Sequence, residues 1–261
     1  MCLILLAYKT HPAYRLILAA NRDEFYSRPT EPLAFRGTNG SILCGEDREG
    51  GGTWLAMSTT GRIAAITNFR GHYCTGTKPP SRGLLVTSCV TARKNLRMLL
   101  QEIAAQSRCY NGFNLLAGDS ESLYYLSNRK AGIHPLDPGI YGLSNHFLDT
   151  PWPKITTGKA RFNDFVNGGA QIDTEALFQL LHDRTLPTDQ QLPDTGVGME
   201  WEKILAPLFI ESDIYGTRTT SIILISTQGQ VNFLERTHSI TGTDRQEKTR
   251  EYTFSINAQQ R

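Results

Sequence analysis

The 261-residue sequence lacks any apolar run long enough to span a membrane; the first, Leu3 to Ala7, has ended by Lys9. It also lacks a basic leader followed by a small-residue cleavage site, so no secretory route is expected and the chain reads as cytoplasmic. Charge of one sign is missing: 27 basic and 25 acidic side chains are intermixed, for a net charge of +2, with no basic stripe to track a phosphate backbone. Nucleic acid is therefore not an expected partner. The five cysteines, Cys2, Cys44, Cys74, Cys89 and Cys109, are odd in number and contain no C-x-x-C pair, which fits neither a disulfide framework nor a closed zinc site. The four internal ones read as small buried hydrophobes in a reducing compartment. His11, His72, His134, His146, His182 and His238 show no H-x-x-x-H or C-x-x-C-H spacing, so neither a zinc ion nor covalently attached haem is expected. Gly50-Gly51-Gly52 lacks the Gly-Lys-Ser/Thr of a phosphate loop and leads into a strand, so it reads as a tight turn or a close backbone approach.

What is present describes an ordinary globular chain, 39% hydrophobic and 20% charged, with 23 glycines and 12 prolines to make turns. Residues 2 to 8 and 15 to 20 predict two strands of a hairpin, joined across Lys9 to Ala13. A second hairpin is expected from 53 to 58 and 62 to 68, and two consecutive helices between Ser81 and Ser107. Strands are expected at 112 to 118, 122 to 127 and 140 to 144, then helices near 156 to 166, 174 to 183 and 200 to 210. Strands at 219 to 226, 230 to 235 and 250 to 256 close the chain. Strands, helices, strands, helices, strands argue for antiparallel sheets covered by helices, in one layered α+β domain over 1–261.

One hairpin carries most of the chemistry. Cys2 opens the first strand, and Asn21-Arg22-Asp23-Glu24 close the second, where an in-register hairpin returns to its start. Charges at the end of a buried strand need a partner or a function. If Met1 is removed, Cys2 carries both a thiol nucleophile and an α-amine of near-neutral pKa. In an extended chain Asn21 and Asp23 face one way and Arg22 and Glu24 the other, so one pair addresses the cysteine and the other braces the scaffold. The competing reading is a surface salt-bridge turn. Asn68 and Asn145, at strand ends, are candidate oxyanion donors or simple turn residues. Arg218 is a second cationic candidate or a solvated strand cap.

Met1-Cys2, Ala19 to Pro29, Gly51-Gly52-Thr53-Trp54-Leu55, Tyr110 to Leu115, Tyr141 to Asn145, Thr150-Pro151-Trp152 and Tyr215 to Thr219 together resemble the signature blocks of the NRDE family, which includes the transport-and-Golgi-organisation protein. That family is similar to the N-terminal-nucleophile hydrolases, which implies a four-layer αββα sandwich. The similarity to cysteine acylases acting on bile-salt amides and penicillin V implies catalytic roles for Cys2, Arg22, Asp23, Asn68, Asn145 and Arg218. In those acylases the Arg and Asp are separated by two intervening residues, whereas Arg22 and Asp23 are adjacent. Either the backbone bulges there or the tetrad Asn21 to Glu24 binds a polar ligand instead.

Two functions follow as expectations. One is an amide or acyl hydrolase with processed Cys2 as nucleophile, requiring no cofactor and acting on an acyl or amide substrate. The other is a non-catalytic carrier of a small amphipathic ligand. The resemblance implies lipid, acyl-coenzyme A or haem for that role, with haem held non-covalently through Cys2 or a histidine.

Overall fold

The computed structural model describes residues 2–71, 79–119, 121–169, 171–241 and 244–256. His72 and Cys74, considered above, lie outside the described residues. The elements run β1 (Cys2–Tyr8), β2 (Tyr14–Phe25), β3 (Thr30–Arg36), β4 (Ile42–Asp47), β5 (Leu55–Ser58), β6 (Ile63–Asn68), α1 (Gly83–Thr91), α2 (Leu96–Gln106), β7 (Phe113–Gly118), β8 (Leu123–Ser127), β9 (Lys130–Pro135), β10 (Gly139–Leu143), α3 (Pro153–Asn167), α4 (Thr174–Leu181), α5 (Met199–Ile204), β11 (Tyr215–Ser226), β12 (Gln230–Thr241) and β13 (Asp244–Ser255). This is the antiparallel α+β class that the element order predicts. The strands form a six-stranded sheet, β10-β1-β2-β11-β12-β13, and a seven-stranded meander, β3 through β9.

Two compact units result: residues 1–27, 138–144 and 148–254 form the first, and 28–137, 145–147 and 255–261 the second. In the first, all seven residues of β1 are buried, as suits a central strand with neighbours on both sides. Leu3, Leu5 and Ala7 join Ile17, Ala19, Ile222 and Leu224 on one face, which packs against Ile155 and Phe162 of α3 and Leu177, Phe178 and Leu181 of α4. Each leucine, isoleucine or phenylalanine among these that is fully removed from water contributes about 1.5–3 kcal/mol. In the second unit, Ile66, Phe113, Leu115 and Leu126 pack against Leu85, Val86 and Cys89 of α1 and Leu99, Leu100 and Ile103 of α2.

Local chemistry sets the helix ends. Asn95 caps α2 by accepting from the N–H of Arg97 and Met98, and Asp173 caps α4 through Glu175 and Ala176. Pro153 opens α3, where its missing N–H costs nothing, so that helix starts earlier than its apolar spacing predicts. The helix expected over 200 to 210 stops at Ile204, short of Pro207, which would clash inside it. The structure adds three strands to those predicted, β3, β4 and β9. Two of these, β3 and β9, are sheet edges, where Pro32 is tolerated and burial is slight.

The triple glycine is a close approach, as expected. Gly52 has φ of +76°, and a Cβ there would lie 2.4 Å from the carbonyl carbon of Gly83, at the start of α1. The cysteines follow expectation only in part. Cys44 and Cys89 are buried, but Cys109 is exposed, because it ends a short 3-10 turn after α2 rather than facing a core.

Candidate functional site

The first hairpin is in register, and Cys2 lies directly opposite Arg22. Directly opposed residues in an antiparallel pair share a face, with Cβ atoms about 5 Å apart. Arg22 opposes Thr219 on β11, and Thr219 opposes Thr237 on β12; Ser221, two residues along, opposes Glu235. Cys2, Arg22, Thr219, Ser221, Thr237 and Glu235 therefore share the sheet face turned away from α3 and α4. Among the described residues, Arg22 Nη1 and the hydroxyls of Thr219, Ser221 and Thr237 are buried with no hydrogen-bond partner. Four unanswered polar groups on the thiol's face are costly unless something polar meets them, at about 1–3 kcal/mol for each group left unpaired.

The Cys2 thiol is 7% exposed, and burial pushes its pKa up to about 11, so it is protonated at neutral pH. Its carbonyl accepts the hydroxyl of Ser144 at 3.0 Å, which ties the start of β1 to the end of β10.

Asn21 and Asp23 point the other way. β2 is unbroken through the tetrad, so the adjacent Arg22 and Asp23 occupy opposite faces; the bulge lies on the partner strand, between Thr217 and Thr219. Asn21 is fully buried. Its Nδ2 donates to the carbonyls of Leu181 at 2.9 Å and Leu208 at 2.8 Å, while Oδ1 accepts the Thr220 hydroxyl at 2.7 Å. Its amide hydrogens and its oxygen are thus engaged within the fold. Asp23 accepts from the Thr217 hydroxyl at 2.7 Å, and burial pushes its carboxyl up although Lys154 pulls the other way. Glu24 is half-buried and accepts the backbone N–H of Phe25 at 3.0 Å.

Arg218 is the bulged residue, which turns its side chain along the strand end. Its Nη1 donates to the carbonyl of Phe25 at 2.7 Å, and the guanidinium lies 6.0 Å from the Tyr26 ring. Burial and then the charge of Arg22 draw its pKa down, so the two guanidiniums share a neighbourhood. Asn68 and Asn145 belong to the second unit, where Asn145, fully buried, donates from Nδ2 to the carbonyl of Asn68 at 2.9 Å. The backbone N–H of Arg70 donates to the carbonyl of Asn145 at 2.6 Å. The two asparagines are thus brought together.

Residues 1–239 match the family described as Transport and Golgi organisation 2. The chain belongs to that family. It is 37% identical over 276 residues to the Transport and Golgi organization protein 2 homolog of Homo sapiens, covering 98% of this chain and 99% of the relative. Identity is also 37% over 264 residues to the Bos taurus homolog, covering 94% and 95%. With Transport and Golgi organization protein 2 of Drosophila melanogaster it is 29% over 275 residues, covering 94% of each. Among solved structures the chain is similar to a variant of conjugated bile acid hydrolase from Clostridium perfringens, at 11% identity and a TM-score of 0.49 over 99% of each chain. It is also similar to the Caenorhabditis elegans ortholog of N-acylethanolamine-hydrolyzing acid amidase, at 9% identity and a TM-score of 0.42, covering 85% of this chain and 92% of that one.

In this Transport and Golgi organisation 2 chain, sequence reasoning missed the polar lining contributed by Thr219, Ser221, Glu235 and Thr237. The available signal was a pair of polar runs, Thr217 to Ser221 and Glu235 to Ser239, on strands that are otherwise apolar at Ile222 to Ile225 and at Phe233 and Leu234. Lys154 was missed as well. It is a buried lysine that donates to the carbonyl of Leu205 at 2.8 Å and lies among the charges acting on Asp23. A lysine directly after Trp152-Pro153 at a helix start carried no pattern that predicts burial. No helix among the described residues is long and apolar enough to cross a membrane.

Proposed function

We propose that this protein is a cysteine-dependent amide or acyl hydrolase of the N-terminal-nucleophile type, active once Met1 is removed and silent while it is retained. The observation that supports this reading is the pairing of Cys2 with Arg22 on a buried face whose remaining donors are unanswered. With Met1 gone, the α-amine of Cys2 takes the thiol proton, and the thiolate attacks the substrate carbonyl. The resulting ammonium returns the proton to the leaving amine or thiol, and water then releases the acyl group from sulfur. Arg22 supplies positive charge on the thiol's own face, favouring thiolate and the developing oxyanion. Asp23 serves the scaffold in this scheme. We place the protein in the cytoplasm, since its five cysteines are odd in number and contain no C-x-x-C pair.

The test is hydrolysis of a panel of N-acyl amides and acyl thioesters by two preparations that differ only in Met1, each verified by intact mass. Activity confined to the processed form, and lost in Cys2→Ala, is expected. Equal turnover by Cys2→Ala sinks the proposal.

One observation favours a second reading, a carrier of an amphipathic ligand with an acceptor-rich head group, such as acyl-coenzyme A. Arg22 Nη1 and the hydroxyls of Thr219, Ser221 and Thr237 are buried donors without partners on one sheet face, which suits an acceptor-rich head group. Saturable binding that is lost in Arg22→Met, with no hydrolysis by processed protein, selects this reading; haem titrated in parallel tests the other ligand.

A further inference from the structure

At one end of the first unit's sheet, three elements bring together residues that sequence spacing keeps apart. His182 follows the last turn of α4, His238 lies on β12 and Glu247 on β13. One donor atom from each lies within 4.8 Å of the other two. They line a cavity of about 370 Å³ together with Phe178, Thr220 and Arg236.

The proton arrangement at His238 can be deduced link by link. Asn21 uses both amide hydrogens on the carbonyls of Leu181 and Leu208, so its Oδ1 is an acceptor and takes the single hydroxyl proton of Thr220. Thr220 Oγ1, 2.9 Å from His238 Nε2, has no proton left to give and must accept one. His238 therefore carries its proton on Nε2. In the neutral ring, Nδ1 presents a lone pair, and Glu247 Oε1 lies 2.9 Å from it. Two acceptors at that separation repel unless a positive charge joins them. The Nδ1 of His182 lies 3.9 Å from the same carboxylate oxygen.

The nearby guanidiniums have carboxylate partners other than Glu247. Arg236 forms a two-pronged pair with Glu175 at 2.6 and 3.0 Å, and Arg184 pairs with Glu211 at 3.1 Å. Arg184 also donates to His182 Nε2 at 2.8 Å, which puts the proton of neutral His182 on Nδ1. For an ion to load there, that proton must move to Nε2 and Arg184 must release His182 while keeping Glu211.

We propose that His182, His238 and Glu247 form a binding site for a divalent transition ion of the Zn²⁺ type, with Thr220 and Asn21 holding His238 in the ligating tautomer. Two imidazoles and one carboxylate are a donor set that Zn²⁺ takes, leaving a fourth position open for water. Bonds of about 2.0–2.2 Å require the three groups to close slightly, and Glu247, 43% exposed on a long side chain, has the freedom to do so. A hydrogen-bonded second layer behind a metal-binding histidine is the usual support for such a site. The proposal does not depend on the hydrolase reading.

The test uses the full chain, stripped with a chelator and titrated with ZnCl₂ by calorimetry and with CoCl₂ by visible absorption, each variant checked by melting temperature without metal. One ion per chain is expected, weakened at least about 100-fold in the His182→Gln/His238→Gln double variant and about tenfold in Thr220→Val. Arg184→Ala, which removes the competing donor, is expected to tighten binding. Full affinity in the double variant, a thiolate band in the cobalt spectrum, or no saturable binding by the unmodified chain would overturn the assignment.

Discussion

Replacing Asn21 by alanine separates a scaffold role from a ligand-binding one. The side chain makes three buried hydrogen bonds, two to carbonyls and one to a hydroxyl. The Leu181 carbonyl is at the C-terminus of α4, one of the groups a helix leaves without an internal partner. Each such bond contributes about 1 kcal/mol net, and a buried group stranded by deletion of its partner costs about 1–3 kcal/mol. Three bonds with little access for replacement water give about 3–5 kcal/mol. Against a total stability of about 5–15 kcal/mol, that is a large fraction. Trp152 and Trp201 lie in the first unit and Trp54 in the second, so fluorescence in a Trp54→Phe background follows the unit that holds Asn21. With a urea slope of about 3 kcal/mol/M, the unfolding midpoint should fall by about 1–1.7 M. A shift below about 0.3 M, accompanied by loss of ligand binding, would refute the scaffold reasoning and return Asn21 to the ligand site.

Other expectations follow from the same geometry. In the Met1-bearing chain at pH 7, iodoacetamide should label exposed Cys109 well before Cys2, whose thiol stands at about 11; peptide mass spectrometry that finds Cys2 first would contradict its burial. Asp47 is raised by burial but lowered more by the Arg28 guanidinium, at 2.8 Å, and the N–H groups of Gly50 and Glu49, so its net pKa is depressed. Its stabilisation is therefore complete above the ordinary carboxylate pKa of about 4 and is lost as pH falls through the lower folded value. Asp47→Asn should cost about 1–3 kcal/mol at pH 7 and much less near pH 2, read as the difference between melting curves. Gly52→Ala combines a left-handed φ with a clash against the Gly83 backbone and should destabilise by about 3 kcal/mol or more; a loss under 1 kcal/mol in chemical denaturation would show that α1 shifts freely.

The first hairpin was legible because its signal is local. An apolar run, a short loop and a second apolar run of matching length fix a register, and the register places Arg22 opposite Cys2. The opposite facing of Arg22 and Asp23 was legible too, since it needs only the period of an extended chain. The edge strands were not, because an edge is defined by what is missing beside it and β9 buries almost nothing. The end of α5 was hidden by apolar residues that continue past Ile204 into a non-helical segment. The exposure of Cys109 was equally hidden, since a thiol's burial depends on what packs over it.

By itself, the sequence determined the antiparallel α+β class, the family, and the return of the Asn21-to-Glu24 tetrad to the Cys2 end of the first hairpin, all of which follow from short-range periodicity and contiguous motifs. Only the tertiary structure decided that Asn21 is a brace, that the bulge falls at Arg218, and that Thr219, Ser221 and Thr237 share the thiol's face. The histidines show the difference most clearly. Their spacing along the chain gave no metal pattern, yet α4, β12 and β13 set His182, His238 and Glu247 within reach of one ion. Donor geometry is a property of neighbours in space, and strand pairing, not sequence separation, makes them neighbours.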